Sequence, residues 1–483
     1  MKKGIGLALL SAALFAAAPA SAQTLDDKIK TMEQELTQLK EQQVELKKEA
    51  TAAAAALPNF SYRPGGGLNI EAADKAWSIN FGLEGHMRML FESGKMHAGR
   101  TNGEVMGRRF RPQFVYCINN CFYEIQARLD LDGFGTNSNL QRGQMAVHLE
   151  QINPWMPTIR FGMDSEMAVS LYRQGSGNFG AQAEYDLLSR NNGLNTGRYG
   201  NGFTLGWDDI DIGTGRAQAM FGVATFGEGD DGRSSNTDRK DFAAYLRIEP
   251  FTKMKNKWIE GLGFEVTGWW CNDDPRVVTP AGSTTSGNQS ACRRLQVQDH
   301  GDGGRQTLFQ FTPTNTTGRG TQPYYHTGMG WRIGPYWLRA TRDYQDYNWS
   351  KNTPRQGTDA KARNFLIAHD LFVWSPKGFL TGDSTIPGSV LVGTHFERND
   401  YSCGFANCAA GGEFKRNRIL LREWDMWYFL PNRISVGGSV LWYDASNVRS
   451  GRNQVGDNLG CGAGHRGSSC NWTDVMLNFR MYF

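Results

Sequence analysis

The chain has 483 residues, a formal charge of only +4, 58 glycines and an aromatic content of 12%. After the first residues no stretch reaches the roughly 18 to 20 consecutive apolar residues that a membrane helix needs, which excludes a helical membrane protein. The weak positive balance gives no reason to expect a nucleic-acid partner. Turn signals recur without a linker-like break, so the glycine-rich chain reads as one large closed sheet rather than a string of sandwich domains.

Residues 1–22 predict a secretory signal peptide. Lys2 and Lys3 precede an apolar run too short for a stop-transfer helix, and Ala20-Ser21-Ala22 offers small residues for cleavage before Gln23. Residues 23–57 carry a heptad pattern, with Leu25, Met32, Leu39 and Leu46 at d and Ile29, Leu36, Gln43 and Ala50 at a. That seam predicts a periplasmic coiled coil in which Gln43 sets register. The alanines of residues 52–56, followed by Pro58, are expected to end the helix and form a hinge.

Residues 58–483 predict an all-β fold, a 16-stranded antiparallel transmembrane β-barrel. At Trp77 the heptad period gives way to strict alternation. Trp77, Ile79, Phe81, Leu83, Met87, Met89 and Phe91 interleave with Ser78, Asn80, Glu84, His86 and Arg88, so one face suits lipid and the other water. In water so aromatic a face would drive aggregation. The same dyad recurs in residues 122–131, 145–150, 203–207, 242–248, 262–270, 325–333 and 434–442. Short turns are expected near 117–121, 153–157, 211–213, 251–257, 334–335, 374–387 and 431–432. They alternate with long connections near 92–104, 132–142, 166–200, 227–238, 272–322, 348–361, 400–414 and 447–471. With the helix in the periplasm, the long connections would lie outside the cell. Residues 475–483 form a last alternating strand ending in Phe483, a terminus similar to the signal read by barrel-insertion machinery.

The cysteines fall in local pairs: Cys117 with Cys121, Cys271 with Cys292, Cys403 with Cys408, and Cys461 with Cys470. An even count in an exported chain reads as disulfides, here staples across loops. The C-x-x-C spacing of redox and zinc sites does not occur.

Residues 64–82 (PGGGLNIEAADKAWSINFG) resemble the opening strand of the phosphate-selective porin O and P family. So do Arg108-Arg109-Phe110-Arg111, the segment from Phe122 to Asp130, Ile159-Arg160-Phe161-Gly162, the segment from Gly197 to Gly202, and Leu380-Thr381-Gly382-Asp383. A coiled coil ahead of the barrel is similar to the related dicarboxylate-type porins. The resemblance implies a homotrimeric outer-membrane porin for passive diffusion of small solutes, with anions such as phosphate or dicarboxylates as cargo. Its surroundings would be outer-membrane lipid and lipopolysaccharide, and neither cofactor nor metal is expected.

Alternation assigns Arg109, Arg111, Arg128, Arg160, Arg216, Arg247, Arg332, Arg339 and Arg480 to the lumen, together with Glu84, Glu124, Asp130, Glu150, Asp164, Glu249 and Glu265. Arginine forks favour anions, although the same arginines could simply neutralise carboxylates on the wall. Connection 166–202 contains Arg173, Arg190 and Arg198 beside Glu184 and Asp186. The family resemblance implies that a loop here folds into the pore, while a solvated outer loop is the plainer reading. The expected solute-contacting set is Arg109, Arg111, Arg128, Arg160, Arg173, Arg190, Arg198, Arg332 and Arg339.

The histidines are scattered, and no G-x-S-x-G, H-E-x-x-H or P-loop pattern occurs, so no catalytic residue is expected. Two other classes stay open: an outer-membrane enzyme with a nucleophile and a histidine at the barrel rim, and a barrel sheath around a multihaem cytochrome. The cysteine pairing makes a direct prediction. Mass spectrometry after non-reducing digestion is expected to find four local bridges, one for each of the cysteine pairs, and no thiol; long-range pairs would show the loop assignment to be wrong.

Overall fold

The structure, a computed structural model, describes residues 25–55, 57–94, 103–132, 137–164, 200–225, 241–273, 295–298, 307–311, 320–349, 359–403, 414–446 and 470–483. A helix, α1, covers Leu25–Ala55. The strands are β1 (Asn59–Arg63), β2 (Gly67–Glu71), β3 (Trp77–Gly94), β4 (Gly103–Ile118), β5 (Tyr123–Asp132), β6 (Asn137–His148), β7 (Thr158–Asp164), β8 (Gly200–Asp211), β9 (Arg216–Thr225), β10 (Asp241–Glu249) and β11 (Gly261–Asp273). They continue with β12 (Leu295–Gln298), β13 (Thr307–Phe311), β14 (Gly320–Ile333), β15 (Tyr336–Trp349), β16 (Asp359–Ser375), β17 (Gly378–Phe379), β18 (Val390–Cys403), β19 (Phe414–Phe429), β20 (Ile434–Ser446) and β21 (Cys470–Tyr482).

Helix α1 belongs to a compact unit separate from the one that holds the strands. The alanines expected to end it instead extend it to Ala55, because alanine has the highest helix propensity and nothing before Pro58 blocks the backbone. Ile29, Met32, Leu36, Leu39 and Leu46 of the heptad seam are all exposed. No helix among the described residues is long and apolar enough to cross a membrane.

The second unit is a closed antiparallel barrel of 16 strands, β3–β11, β14–β16 and β18–β21. Each strand pairs with its sequence neighbours, and β21 pairs back onto β3 from Gly94↔Trp472 to Glu84↔Tyr482. Closure gives each of these 16 strands a neighbour on both sides, which a barrel in lipid requires. Below that seam β2 takes over, pairing Leu68↔Phe81 to Glu71↔Ser78. Residues 64–82 are therefore not one opening strand but the end of a β1–β2 hairpin followed by β3. The hairpin turns on Gly65 and Gly67, both at positive φ. At Gly67 a Cβ would lie 1.9 Å from the Phe81 carbonyl oxygen, so only glycine fits against β3. Phe483 and Leu83 exchange backbone hydrogen bonds of 2.8 and 2.9 Å, and the Phe483 ring packs 5.0 Å from that of Tyr62.

Burial alternates along the strands as expected for two unlike faces. On β3 Met87, Met89 and Phe91 are exposed while Glu84, His86, Arg88 and Leu90 are buried; on β19 Trp424, Met426 and Tyr428 are exposed while Glu423, Asp425 and Trp427 are buried. The outward face is apolar and the inward face mostly polar, the reverse of a soluble sheet. Exposed Trp155, Trp258, Trp374 and Phe379 ring the short-turn end, and the Trp207 and Trp331 indoles donate to the Trp155 and Trp258 carbonyls, an arrangement suited to a membrane interface. The dyad expected over 145–150 stops at His148, since Leu149–Gln151 is a 3-10 turn.

Of the four expected disulfides, the bridge between Cys117 and Cys121 is present across the β4–β5 turn. Cys292, Cys408 and Cys461 lie outside the described residues. The expected bridges from Cys271 to Cys292, from Cys403 to Cys408 and from Cys461 to Cys470 therefore each have one end outside them.

Candidate functional site: the inner wall of the barrel

The inward positions of β3, β4 and β5 converge on one carboxylate. Glu84 faces Arg109 Nη1 at 3.6 Å and Arg111 Nη1 at 3.7 Å and accepts a hydrogen bond from Arg128. The cause lies in register: Glu84 pairs with Arg111, and Gln113 of the same strand pairs with Arg128. Three guanidiniums around one carboxylate leave the group net positive. Next to it the β3–β21 seam is tied by Asn478, whose Oδ1 accepts from Arg88 Nε at 2.9 Å and from His86 Nε2 at 3.0 Å.

Along β5 to β7 the network continues. Arg142 Nη1 donates to Gln126 Oε1 at 3.0 Å, and the Gln126 amide donates to Glu124. His148 lies 3.5 Å from Glu124 and 2.6 Å from Glu150. Glu150, read as a lumen residue, sits in the 3-10 turn and helps fix that corner. Burial pushes its carboxyl up, but its own backbone N–H, His148 and the Thr158 hydroxyl at 2.8 Å outweigh this and hold it below the usual carboxylate range. Arg160 pairs with Asp208 at 2.7 Å, and on β9 and β10 Arg216 and Arg247 both bond Glu249.

The opposite wall, β11 to β20, is richer in carboxylates. His326 lies between Glu265 at 2.9 Å and Asp343 at 2.7 Å, and Asp343 also accepts from the Tyr324 hydroxyl at 2.7 Å. His395 bonds Glu423 at 2.9 Å and faces Glu397 at 3.6 Å. Arg339 bonds Asp370 at 2.8 Å and lies over the Trp337 ring. Both ring nitrogens of His326 are thus engaged with carboxylates, which removes it as a general base.

Exposure separates the two walls. The side chains of Arg128, His148, Glu124, Arg160, Arg247 and Glu249 are between 13% and 27% exposed. Those of Glu265, Asp343, Asp370, Glu397, Glu423 and Arg339 are at most 5% exposed. The accessible wall therefore runs from β5 to β10, where Arg128, Arg142, Arg160 and Arg247 reach toward the lumen, and the acidic wall is covered.

Among the residues expected to contact solute, Arg109, Arg111 and Arg128 come together on Glu84. Arg160 faces inward near the short turns. Arg332 lies at that same end with its side chain 60% exposed, 3.8 Å from Asp383. Arg339 faces inward on the covered acidic wall. Arg173, Arg190 and Arg198 fall outside the described residues, and so do Glu184 and Asp186. Sequence reasoning missed Arg88 and Arg142, as well as the buried carboxylates Asp343, Asp370, Glu397, Glu423, Asp425 and Asp474. Arg88 lay on the recognised polar face of β3, so the signal was present; Arg142 lies beside a register shift between β5 and β6 that blurs the alternation.

Comparison with known protein families and with characterised sequences returns no match. Solved structures do resemble the chain. An anion-selective porin from Comamonas acidovorans aligns over 84% of this chain and 100% of its own, with TM-score 0.51 and 10% identity. A loop-deletion mutant of OmpT, an outer membrane protein of Vibrio cholerae, aligns over 84% and 100% with TM-score 0.48 and 11% identity. The outer membrane channel DcaP of Acinetobacter baumannii aligns over 84% and 98% with TM-score 0.47 and 8% identity. The chain thus shares the 16-stranded barrel fold of outer-membrane porins. That likeness is one of fold and does not single out the phosphate-selective O and P family.

The arginine cluster makes a prediction about stability. Replacing Glu84 with Gln removes the carboxylate that three guanidiniums share, and breaking a buried charge group costs about 3–5 kcal/mol. The E84Q barrel is expected to unfold at lower temperature in detergent, followed by circular dichroism, while E84D retains most of the wild-type stability.

Proposed function

We propose that the chain is an outer-membrane porin, a passive diffusion channel that favours small anions, with the short turns in the periplasm. The observation carrying this reading is the division of the inner wall, in which the accessible arc from β5 to β10 presents Arg128, Arg142, Arg160 and Arg247 beside Glu124, Asp208 and Glu249, and the more acidic arc is covered. A solute following the accessible arc meets Arg128, Arg142, Arg160 and Arg247. Charge on a low-dielectric wall raises the local concentration of the opposite ion, and guanidinium forks match carboxylate and phosphate oxygens. The phosphate-selective porin family or its dicarboxylate relatives remain the proposed kinship, supported by the matching segments and by the coiled coil ahead of the barrel.

Charge selectivity is read from reversal potentials across a KCl gradient in planar bilayers. The wild type is expected to prefer Cl−, and Arg128, Arg142, Arg160 and Arg247 replaced together by Ala are expected to lower that preference and weaken block by phosphate. Removing each guanidinium fork weakens anion binding by about 1–3 kcal/mol. Cation preference in the unmodified protein would overturn the anion reading and leave the barrel intact.

The exposed seam of α1 supports trimer assembly through a periplasmic coiled coil, since so short a helix is marginal without partners. Deleting residues 23–56 is expected to leave a folded barrel whose trimer dissociates more readily, measured by light scattering in detergent. A monomeric wild type would refute the proposal.

A further inference from the structure

Charge on the accessible wall is sorted by height as well as around the arc. Glu124, His148, Glu150, Arg160 and Asp208 stand close to the short turns, whereas Arg109, Arg111, Arg128 and Arg142 stand further up their strands. Among the described residues the upper tier sets these four guanidiniums against Glu84. The lower tier, on β5 to β8, sets three carboxylates against Arg160, and it stays net negative even with His148 protonated. Further round the arc Arg216 and Arg247 share Glu249, so the acidic tier ends at β8.

The lower tier is fixed in place. Arg160 lies across β8 because residue 206 is glycine, where a Cβ would stand 2.2 Å from Arg160 Nη1. The guanidinium so reaches Asp208 Oδ2 at 2.7 Å, and Asp208, its side chain 65% exposed, keeps Oδ1 for another donor. Gln126 links the tiers, accepting from Arg142 and donating to Glu124. Opposite Gln126 on β6, Gln144 is 5% exposed, and its Oε1 has no hydrogen-bond partner among the described residues. A buried acceptor without a donor is costly, and this one stands between the positive tier and Glu124.

We infer that this wall selects zwitterions above plain anions, taking small solutes whose carboxylate turns toward Arg128 and Arg142 and whose ammonium turns toward Gln144, Glu124 and Asp208. The inference rests on the channel reading above and names a solute class for the same wall. The four residues from Arg128 to Glu124 span about 13 Å. Both side chains reach inward and narrow that gap, so ω-amino acids and short peptides fit it better than glycine. A plain anion that draws Arg160 to itself strips Asp208 of its partner, and an uncompensated charge on a low-dielectric wall is costly. A zwitterion supplies a new partner to each member of the pair it opens. A plain cation is repelled by the upper guanidiniums.

The test uses the full-length protein in planar bilayers at neutral pH and reads block of the KCl current by three solutes of one chain length, ω-aminohexanoate, hexanoate and hexylammonium. The wild type is expected to be blocked by ω-aminohexanoate at about a fivefold lower concentration than by either of the others. E124Q/D208N is expected to lose that preference while hexanoate blocks at least as well as before, because the wall has become more positive. D208N alone, at an exposed position, is expected to lose part of it. Equal block by ω-aminohexanoate and hexanoate in the wild type, or a preference unchanged in D208N, overturns the inference. Tighter block by hexanoate assigns the wall to plain anions and overturns it too. The KCl conductance of the same wild-type channels reports separately on the channel reading. A conducting protein without the zwitterion preference refutes this inference alone, and a protein that conducts nothing refutes both.

Discussion

Backbone hydrogen bonding inside an apolar layer is the constraint on which the rest of this structure depends. An unpaired N–H or C=O there has no water to turn to, so the sheet must close on itself. The closing seam is β21 against β3, held from Gly94↔Trp472 to Glu84↔Tyr482, with Phe483 and β2 completing the cover of β3 below it. Closure fixes register, and register fixes the face of every side chain. A slip of one residue would turn Met87 and Met89 inward and bury Arg88 in lipid.

The inward face then has its own problem, because charges removed from water need partners. The two walls answer it differently. On the covered wall the carboxylates are matched by His326, His395, Arg339 and hydroxyls such as that of Ser439, which donates to Asp425. Apolar side chains fill the same wall, with Leu391, Trp427 and Phe429 packed together and the Arg480 guanidinium 3.5 Å above the Trp427 ring. At the start of the accessible wall, Glu84 shares its charge among three arginines, so close contact there still leaves the cluster net positive. That excess is a consequence of composition meeting register: β4 presents Arg109 and Arg111 inward two residues apart, opposite the stretch of β3 in which Glu84 is the facing acid.

Much of the fold was legible because lipid outside and water inside impose opposite demands on alternate residues. β3 could be read residue by residue on that basis, and each short turn stood out by its Asn, Gly or Pro. Bulges set the limit. Between His86 and Met87 the register against β4 shifts by one residue, and the inward positions of β4 change from Arg109 to Met106 across it; no alternation count carries through such a point. A similar shift between Trp207 and Ile210 obscures the end of β8. The site was less legible than the fold because side-chain parity says which way a charge points and nothing about cover. Arg128 and Arg339 look alike in sequence, both inward on alternating strands, yet one is 27% exposed and the other fully buried against Asp370.

The outward side chains also set the barrel's vertical position. Along the outward face of β19, Tyr428, Met426 and Trp424 are exposed and apolar or aromatic, and charge begins at Arg422. With a rise of about 3.3 Å per residue and a tilt near 40°, Arg422 stands roughly 15 Å and Arg418 roughly 25 Å above Tyr428. An apolar band about 25 Å tall, starting at the aromatic ring of the short-turn end, thus reaches Arg418 and encloses Arg422. Arginine on the lipid face costs about 2–4 kcal/mol at mid-depth and nearly nothing at the interface. Arg418 meets that condition by position. Arg422 meets it only through its surroundings, a groove with Asn471 and Thr473 on its wall and a side chain long enough to reach upward. The outward arc of β15 to β20 is therefore where the barrel departs from a plain lipid-facing surface, and the departure follows from the same alternation that makes the inner wall polar.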